Sequence, residues 1–264
     1  MGEHVPLYAS AYAGFAIREQ IRQLTYGADL GQSGWVTAAE LELFAEWLEL
    51  RAESRLLDVG CGSGGPALRL AELTGAEVVG IDLLEEGIAT ATRLAGEREL
   101  SDRARFVRAD ASGPLPFADG SFEAVISIDV MCHLPNRLEI LREWHRVTAP
   151  GARILFTDPT IVTGLVTDSE LADRSAVGVY VFSVESVNEA LLARAGFTVE
   201  RREDLTENMA AMAGRWLEAR NRFRDELVAD EGDPTFEGIQ RFLGACHLLA
   251  QDRRLSRYGF LARR

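Results

Sequence analysis

Leu57-Asp58-Val59-Gly60-Cys61-Gly62-Ser63-Gly64-Gly65 joins a short apolar run to a helix-like one. Arg55-Leu56-Leu57-Asp58-Val59 reads as a buried strand, and Pro66 to Leu73 has helical spacing, with Leu68, Ala71 and Glu72 on successive turns. The glycines between them form a turn that asks for no side-chain room, so backbone can approach a ligand closely at a helix N-terminus. Two acids make the loop informative. Asp58 stands just before it, and Asp82 ends the next strand, Val78-Val79-Gly80-Ile81. Together they mark a nucleoside-binding βαβ unit.

Two features bear on the ligand. The pattern Gly60-x-Gly62-x-Gly64 is read as departing from the Gly-x-Gly-x-x-Gly of dinucleotide folds. Asp58 puts a carboxylate where a pyrophosphate would approach, which disfavours a phosphate and favours a cation. A ligand carrying an ammonium group and a ribose fits both acids.

From here the chain resembles the class I S-adenosylmethionine-dependent methyltransferases, in particular small-molecule enzymes of the ubiquinone/menaquinone-biosynthesis and sarcosine/dimethylglycine types. The resemblance runs motif by motif from Leu56 to Phe156. Phe106 to Ala111 is similar to the third strand, and Pro114 to Glu123 to the loop into the fourth, with Glu123 where Asp is usual. Ala124 to Ile128 is the fourth strand, closed by Asp129, and Arg146 to Ala152 resembles the turn into the fifth, Arg153 to Phe156.

The resemblance implies a doubly wound, Rossmann-like α/β fold with a seven-stranded sheet whose last strand is antiparallel. It implies S-adenosylmethionine as cofactor, leaving as S-adenosylhomocysteine, with no metal. Asp58, Gly60, Gly62 and Gly64 would face that cofactor. Asp82 would take the ribose hydroxyls, Asp110 and Ala111 the adenine, and Leu83 and Ile128 complete the set.

Composition narrows the alternatives. The net charge of −13 repels a nucleic-acid backbone unless a basic face is segregated. The Arg201-Arg202 and Arg253-Arg254 pairs each sit beside acids or a strand end and read as solvated surface. Cys61, Cys132 and Cys246 have no Cys-x-x-Cys spacing, which argues against a disulfide framework or a zinc site and suggests a cytoplasmic location. No apolar run is long enough for a membrane span, and no secretion signal is visible. All 28 basic residues are arginine. The missing lysine removes Schiff-base chemistry and the Tyr-x-x-x-Lys pair of dehydrogenases.

One domain over residues 1–264 is expected, in three parts. Residues 1–53 form an N-terminal helical lid, 54–158 the cofactor-binding core, and 159–264 an acceptor-side half with a helical insertion over 206–252. In the lid, Thr37 with Glu40 predicts a capping box before a helix containing Leu41, Phe44 and Trp47. Tyr8, Tyr12, Phe15 and Tyr26 are candidates to face a sulfonium, or to pack the lid onto the core. Thr160 to Phe182 reads as an insertion. A helix capped by Ser183 or Ser186 ends at Gly196, and a long amphipathic helix spans Thr206 to Val228. Met209, Met212 and Trp216 lie on one stripe of it, as pocket wall or as core.

His133, just beyond the fourth strand, is the candidate general base, since imidazole titrates near neutrality. Asp129 is a second candidate, for catalysis or for contact with cofactor or acceptor. His4, His145 and His247 are placed less favourably. A metal-assisted mechanism would use Asp129 and Asp158, but Pro159 stands where that subfamily has Asn. The expected activity is methyl transfer to oxygen or nitrogen of a small metabolite, with carbon left open and a natural-product role in view. The alternatives are a silent cofactor-binding partner protein and, further off, a nicotinamide-dependent oxidoreductase.

Overall fold

The computed structural model describes residues 16–264. His4, Tyr8, Tyr12 and Phe15 lie outside the described residues.

Strand β1 (Arg55–Val59) is buried from Leu56 onward because both faces of the sheet are covered. It pairs in parallel with β2 (Glu77–Asp82) on one side and β4 (Phe122–Ser127) on the other. The sheet continues through β3 (Ala104–Arg108) beyond β2, and through β5 (Thr148–Val162) beyond β4. The last strand, β8 (Leu255–Arg263), runs antiparallel between β5 and β7 (Thr198–Asp204). The order is therefore β3-β2-β1-β4-β5-β8-β7, seven strands with the last one reversed, as expected. A further two-residue strand, β6 (Ser183–Val184), pairs with the far end of β5 and makes eight.

Period-two alternation divides the strands between two cores. Leu57, Val59, Val79, Ile81, Val125 and Ile154 face α5 (Arg137–Val147) and α7 (Val187–Ala195). Leu56, Val78, Ala124, Ile126 and Leu155 face α2 (Ala38–Trp47), α3 (Gly65–Thr74) and α4 (Glu85–Glu97). Each fully buried Leu, Ile or Val contributes about 1.5–3 kcal/mol. The chain runs outward from β1 in one direction and restarts at β4 in the other. That reversal opens a crevice at the carboxyl ends of β1 and β4, where doubly wound sheets bind ligands.

A third cluster caps this crevice. Met209, Met212 and Ala213 of α8 (Thr206–Arg222) pack on Ile239, Phe242 and Cys246 of α10 (Asp233–Gln251), and on Tyr26 and Trp35 of the lid. Tyr26 closes α1 (Ala16–Tyr26) and donates its hydroxyl hydrogen to the Gly34 carbonyl at 2.6 Å. It therefore packs the lid onto α8. The capping box predicted at Thr37 and Glu40 is present.

Several boundaries differ from the sequence reading. The expected single helix over 206–228 breaks at Phe223, and α9 (Arg224–Glu231) follows as a separate segment. Strand β5 runs past Phe156 to Val162, carrying Pro159 at a register shift, where a strand tolerates proline. The segment read as an insertion contains α6 (Asp168–Arg174), with its own capping box from Thr167 and Glu170. Ser186 precedes α7 but lies in the left-handed region and makes no side-chain cap bond. Gly196 ends α7 with φ +99°, as read. The paired surface arginines meet acids: Arg202 meets Glu185 and Glu189, Arg253 meets Asp204, and Arg254 meets Glu170 and Asp252. Among the described residues no helix is long and apolar enough to cross a membrane.

Candidate active site

The glycine loop is shaped by its backbone bonds. The N–H groups of Gly60 and Cys61 both donate to the Ile81 carbonyl, at 2.8 and 3.0 Å, which folds the loop over the end of β2. Gly60 has φ +80°, and a Cβ there would collide with Val130. At Gly65 a Cβ would meet the Leu30 carbonyl oxygen, so this glycine lets the lid loop pass directly over the start of α3. Ser63 secures that crossing by donating to the Gly31 carbonyl at 2.8 Å. Gly60, Gly62 and Gly65 also satisfy Gly-x-Gly-x-x-Gly, so glycine spacing does not separate nucleoside from dinucleotide ligands here. The discrimination rests on the acids.

One cavity of about 450 Å³ gathers the residues read from the sequence: Asp58, Gly60, Gly62, Asp82, Leu83, Asp110, Ala111, Ile128, Asp129 and His133 all line it. Gly64 does not. It lies beneath the loop at the N-cap of α3, where a Cβ would press on Ala91 and Phe106. Asp58 is 3% exposed and forms no ion pair among the described residues. Burial, reinforced by the nearby Asp82 charge, pushes its carboxyl up to about 7. A buried carboxylate of this kind calls for a cation.

Asp82 is oriented by backbone. Its Oδ2 accepts from the Gly62 N–H and its Oδ1 from the Leu84 N–H, both at 2.9 Å. A carboxylate has about four acceptor sites, so capacity for two ribose hydroxyls remains. Asp110 accepts from the Ser112 N–H and hydroxyl through Oδ1, which holds its carboxyl below the ordinary range. These residues fit the ammonium, ribose and base of S-adenosylmethionine as a set.

Asp129 occupies a different environment from the other acids. Its backbone is in the left-handed region, φ +58°, held by its own N–H donating to Thr157 Oγ1 at 2.8 Å. Its Oδ1 accepts from the Thr157 hydroxyl at 2.8 Å and from Arg257 Nε at 2.7 Å, while Oδ2 accepts from the Trp35 N–H at 2.9 Å. Arg257 is fully buried and also donates to both oxygens of Glu40. Burial opposes the Arg257 charge, but Asp129 and Glu40 more than offset it and hold the guanidinium pKa above its usual value. Burial dominates at Glu40, whose carboxyl is raised. This triad ties the lid to the ends of β4 and β8.

His133 lies on the short turn Met131–His133 after β4. Its Nδ1 is 3.0 Å from the Val179 carbonyl, which can only accept, so Nδ1 carries the proton and Nε2 is the basic nitrogen. Burial lowers its pKa below the ordinary histidine value, so the ring is neutral at neutral pH. Its ring lies 4.7 Å from that of Tyr180. Of the α8 stripe, Trp216 reaches the cavity, while Met209 and Met212 stay in the core. Asp158 is paired with Arg137 at 2.6 Å and bonded by Thr160 and Asn188. Among the described residues no cluster of three His, Cys, Asp or Glu is placed to share a metal.

The sequence reading missed Arg137, Arg174 and Arg257, each 5% exposed or less. Their immediate neighbours include the polar Asn136, Asp173, Ser175 and Ser256, so the local sequence does not flag them.

Residues 57–156 match the protein family described as "Methyltransferase domain". The chain is 36% identical to the 27-O-demethylrifamycin SV methyltransferase of Amycolatopsis mediterranei, over 68% of this chain and 65% of that protein. It spans less than two thirds of the length of the curated relatives it matches first. The cyclopropane synthase MmaA2 of Mycobacterium tuberculosis superposes with a TM-score of 0.79 over the whole of both chains, at 18% identity. The [4+2]-cyclase SpnF superposes at 0.78 over 99% of this chain and 97% of its own, at 24% identity. At such identities these likenesses establish the fold. Glycine loop, paired acids and sheet order agree with the family match: residues 57–156 form a methyltransferase domain of the class I S-adenosylmethionine-dependent type.

Proposed function

We propose that this chain transfers a methyl group from S-adenosylmethionine to an oxygen or nitrogen nucleophile of a small-molecule acceptor. One observation carries the reading: one cavity is lined both by the acids Asp58 and Asp82 and by His133, Trp216 and Phe242. The cofactor, when bound, supplies a methyl group made electrophilic by its sulfonium. The residues of the chain then do three things.

Asp58 and Asp82 hold the ammonium and the ribose, which flank the sulfonium, and so fix the direction in which the methyl carbon faces. Trp35, Trp216 and Phe242 exclude water and restrict the acceptor, and Trp35 is itself held through its N–H by Asp129. Such positioning can supply several kcal/mol of the barrier, up to about 7–11 in ideal cases. His133 Nε2 takes the proton of a hydroxyl acceptor as the new bond forms, and the Val179 carbonyl stabilises the resulting imidazolium at Nδ1. Asp129, with its carboxylate oxygens engaged by Thr157, Arg257 and Trp35, acts as a positioning residue in this scheme.

The test supplies methyl-labelled S-adenosylmethionine, purified protein and a small-metabolite extract, with label followed by mass spectrometry. Label in a low-mass product supports transfer and names the acceptor. Cofactor binding without any labelled product across source extracts would favour a silent cofactor-binding protein.

A further inference from the structure

The cavity wall holds a cation with no counter-charge among the described residues. Arg174 closes α6, is 1% exposed and lines the cavity. Other buried arginines are matched: Arg137 with Asp158, Arg220 with Glu231, and Arg257 with Asp129 and Glu40. Arg174 forms no such pair among the described residues, and its Nε and Nη1, both buried, have no hydrogen-bond acceptor. Its guanidinium carbon lies 4.2 Å from the centre of the Tyr180 ring and 4.9 Å from that of Phe242. Ring faces attract the cation but leave in-plane N–H donors unbonded. Arginine does not shed its proton in a protein, so this charge is not relieved by neutralisation. A buried unpaired charge is strongly unfavourable, and a cavity wall is where a ligand can supply the missing partner.

We infer that Arg174 receives a planar oxyanion of the methyl acceptor: a carboxylate, or the ionised enol or phenol of a conjugated system. The inference rests on the proposed methyl transfer and narrows its substrate class. The surroundings define the rest of that molecule. Tyr180, Phe242 and Trp35 form a run of near-parallel rings, with Tyr180 at 19° and Trp35 at 26° to Phe242. Flat apolar bodies suit such walls. Tyr180 is the common neighbour of anchor and base, touching Arg174 on its face and His133 by its ring. The acceptor is therefore a largely apolar, conjugated acid whose anionic oxygen docks at Arg174 while a second oxygen or nitrogen meets His133.

The probes are benzoate and its neutral analogue benzamide, titrated into the full chain saturated with S-adenosylhomocysteine. The readout is the arginine Nε–H NMR signal of Arg174, identified by its absence in R174K and R174Q. Benzoate is expected to shift that signal saturably and to bind about tenfold or more tightly than benzamide. R174Q should lose the preference while keeping the S-adenosylhomocysteine affinity of the parent. R174K, which keeps the charge, should retain part of it. Absence of saturable benzoate binding, equal binding of the two probes, or undiminished benzoate affinity in a folded R174Q overturns the inference. Failure of the unmodified chain to bind S-adenosylhomocysteine would instead count against the proposed function.

Discussion

Asp58→Asn separates stability from ligand binding in one residue. The carboxyl is 3% exposed, lies near Asp82 and keeps its proton up to about pH 7, against 3.8 for an unperturbed group. In the unfolded chain the same carboxyl ionises near 3.8. Between those values the folded state holds one proton more than the unfolded state, so stability falls as pH rises. Below pH 3.8 the penalty is absent, and above about 7 it is complete. The gap corresponds to roughly 4 kcal/mol.

Asparagine has the same shape and cannot ionise. Its advantage over aspartate should therefore widen by roughly 2–3 kcal/mol between pH 5 and pH 8. Urea denaturation of both ligand-free proteins across that range measures the difference directly. The same substitution removes the proposed partner of the cofactor ammonium, so calorimetric affinity for S-adenosylhomocysteine at pH 8 should fall about tenfold or more. A mutant that is both more stable and weaker in binding is the expected outcome. Parallel stability curves for the two proteins, or undiminished affinity in the mutant, would refute the reasoning.

Other expectations follow from the same contacts. His133→Gln should lower kcat by roughly 10²–10⁴ on a hydroxyl acceptor while leaving cofactor affinity unchanged, as turnover and equilibrium binding measured together will show. In the parent protein kcat should decline only below the ordinary histidine range, because burial lowers the pKa of His133, whereas the apparent affinity of the free protein for cofactor should weaken already below about pH 7 through Asp58. Arg257→Met leaves Asp129 and Glu40 without their shared cation and should cost about 3–5 kcal/mol in chemical denaturation. Gly65→Ala drives a methyl group against the Leu30 carbonyl, so calorimetry should show weaker cofactor binding with little change in turnover at saturation.

The cofactor half was legible because its signals are local. Glycines beside a strand end, Asp82 on the following strand and the Thr37–Glu40 capping box each operate within a few residues or one βαβ unit. The fifth strand was truncated in the reading because Thr157-Asp158-Pro159 has the composition of a turn. Contacts distant in sequence keep it extended, among them Arg137 on Asp158 and Thr157 on Asp129. Asp129 was weighed for catalysis because its position near a strand end is visible in the sequence, while its bonds to Trp35 and Arg257 are not. Arg174 gave no signal either, since a single arginine in an aperiodic segment does not announce that it will be buried. The break at Phe223 likewise follows from how α9 folds back with α10, which the amphipathic stripe does not encode.

The Arg257 strut also orders events during synthesis. Residues for both cofactor acids and the glycine loop leave the ribosome early, and nothing in their local bonding waits for the C-terminal third. Asp129 and Glu40, however, are enclosed carboxylates whose cation sits on β8, 128 and 217 residues further along the chain. A nascent chain that already has its nucleoside crevice therefore carries two mutually repelling acids beneath an unlatched lid. Insertion of β8 between β5 and β7 neutralises the pair and closes the sheet in one event. Closure of the acceptor chamber is thus coupled to the arrival of β8, so a chain cut before Leu255 would be open-lidded and unable to enclose an acceptor.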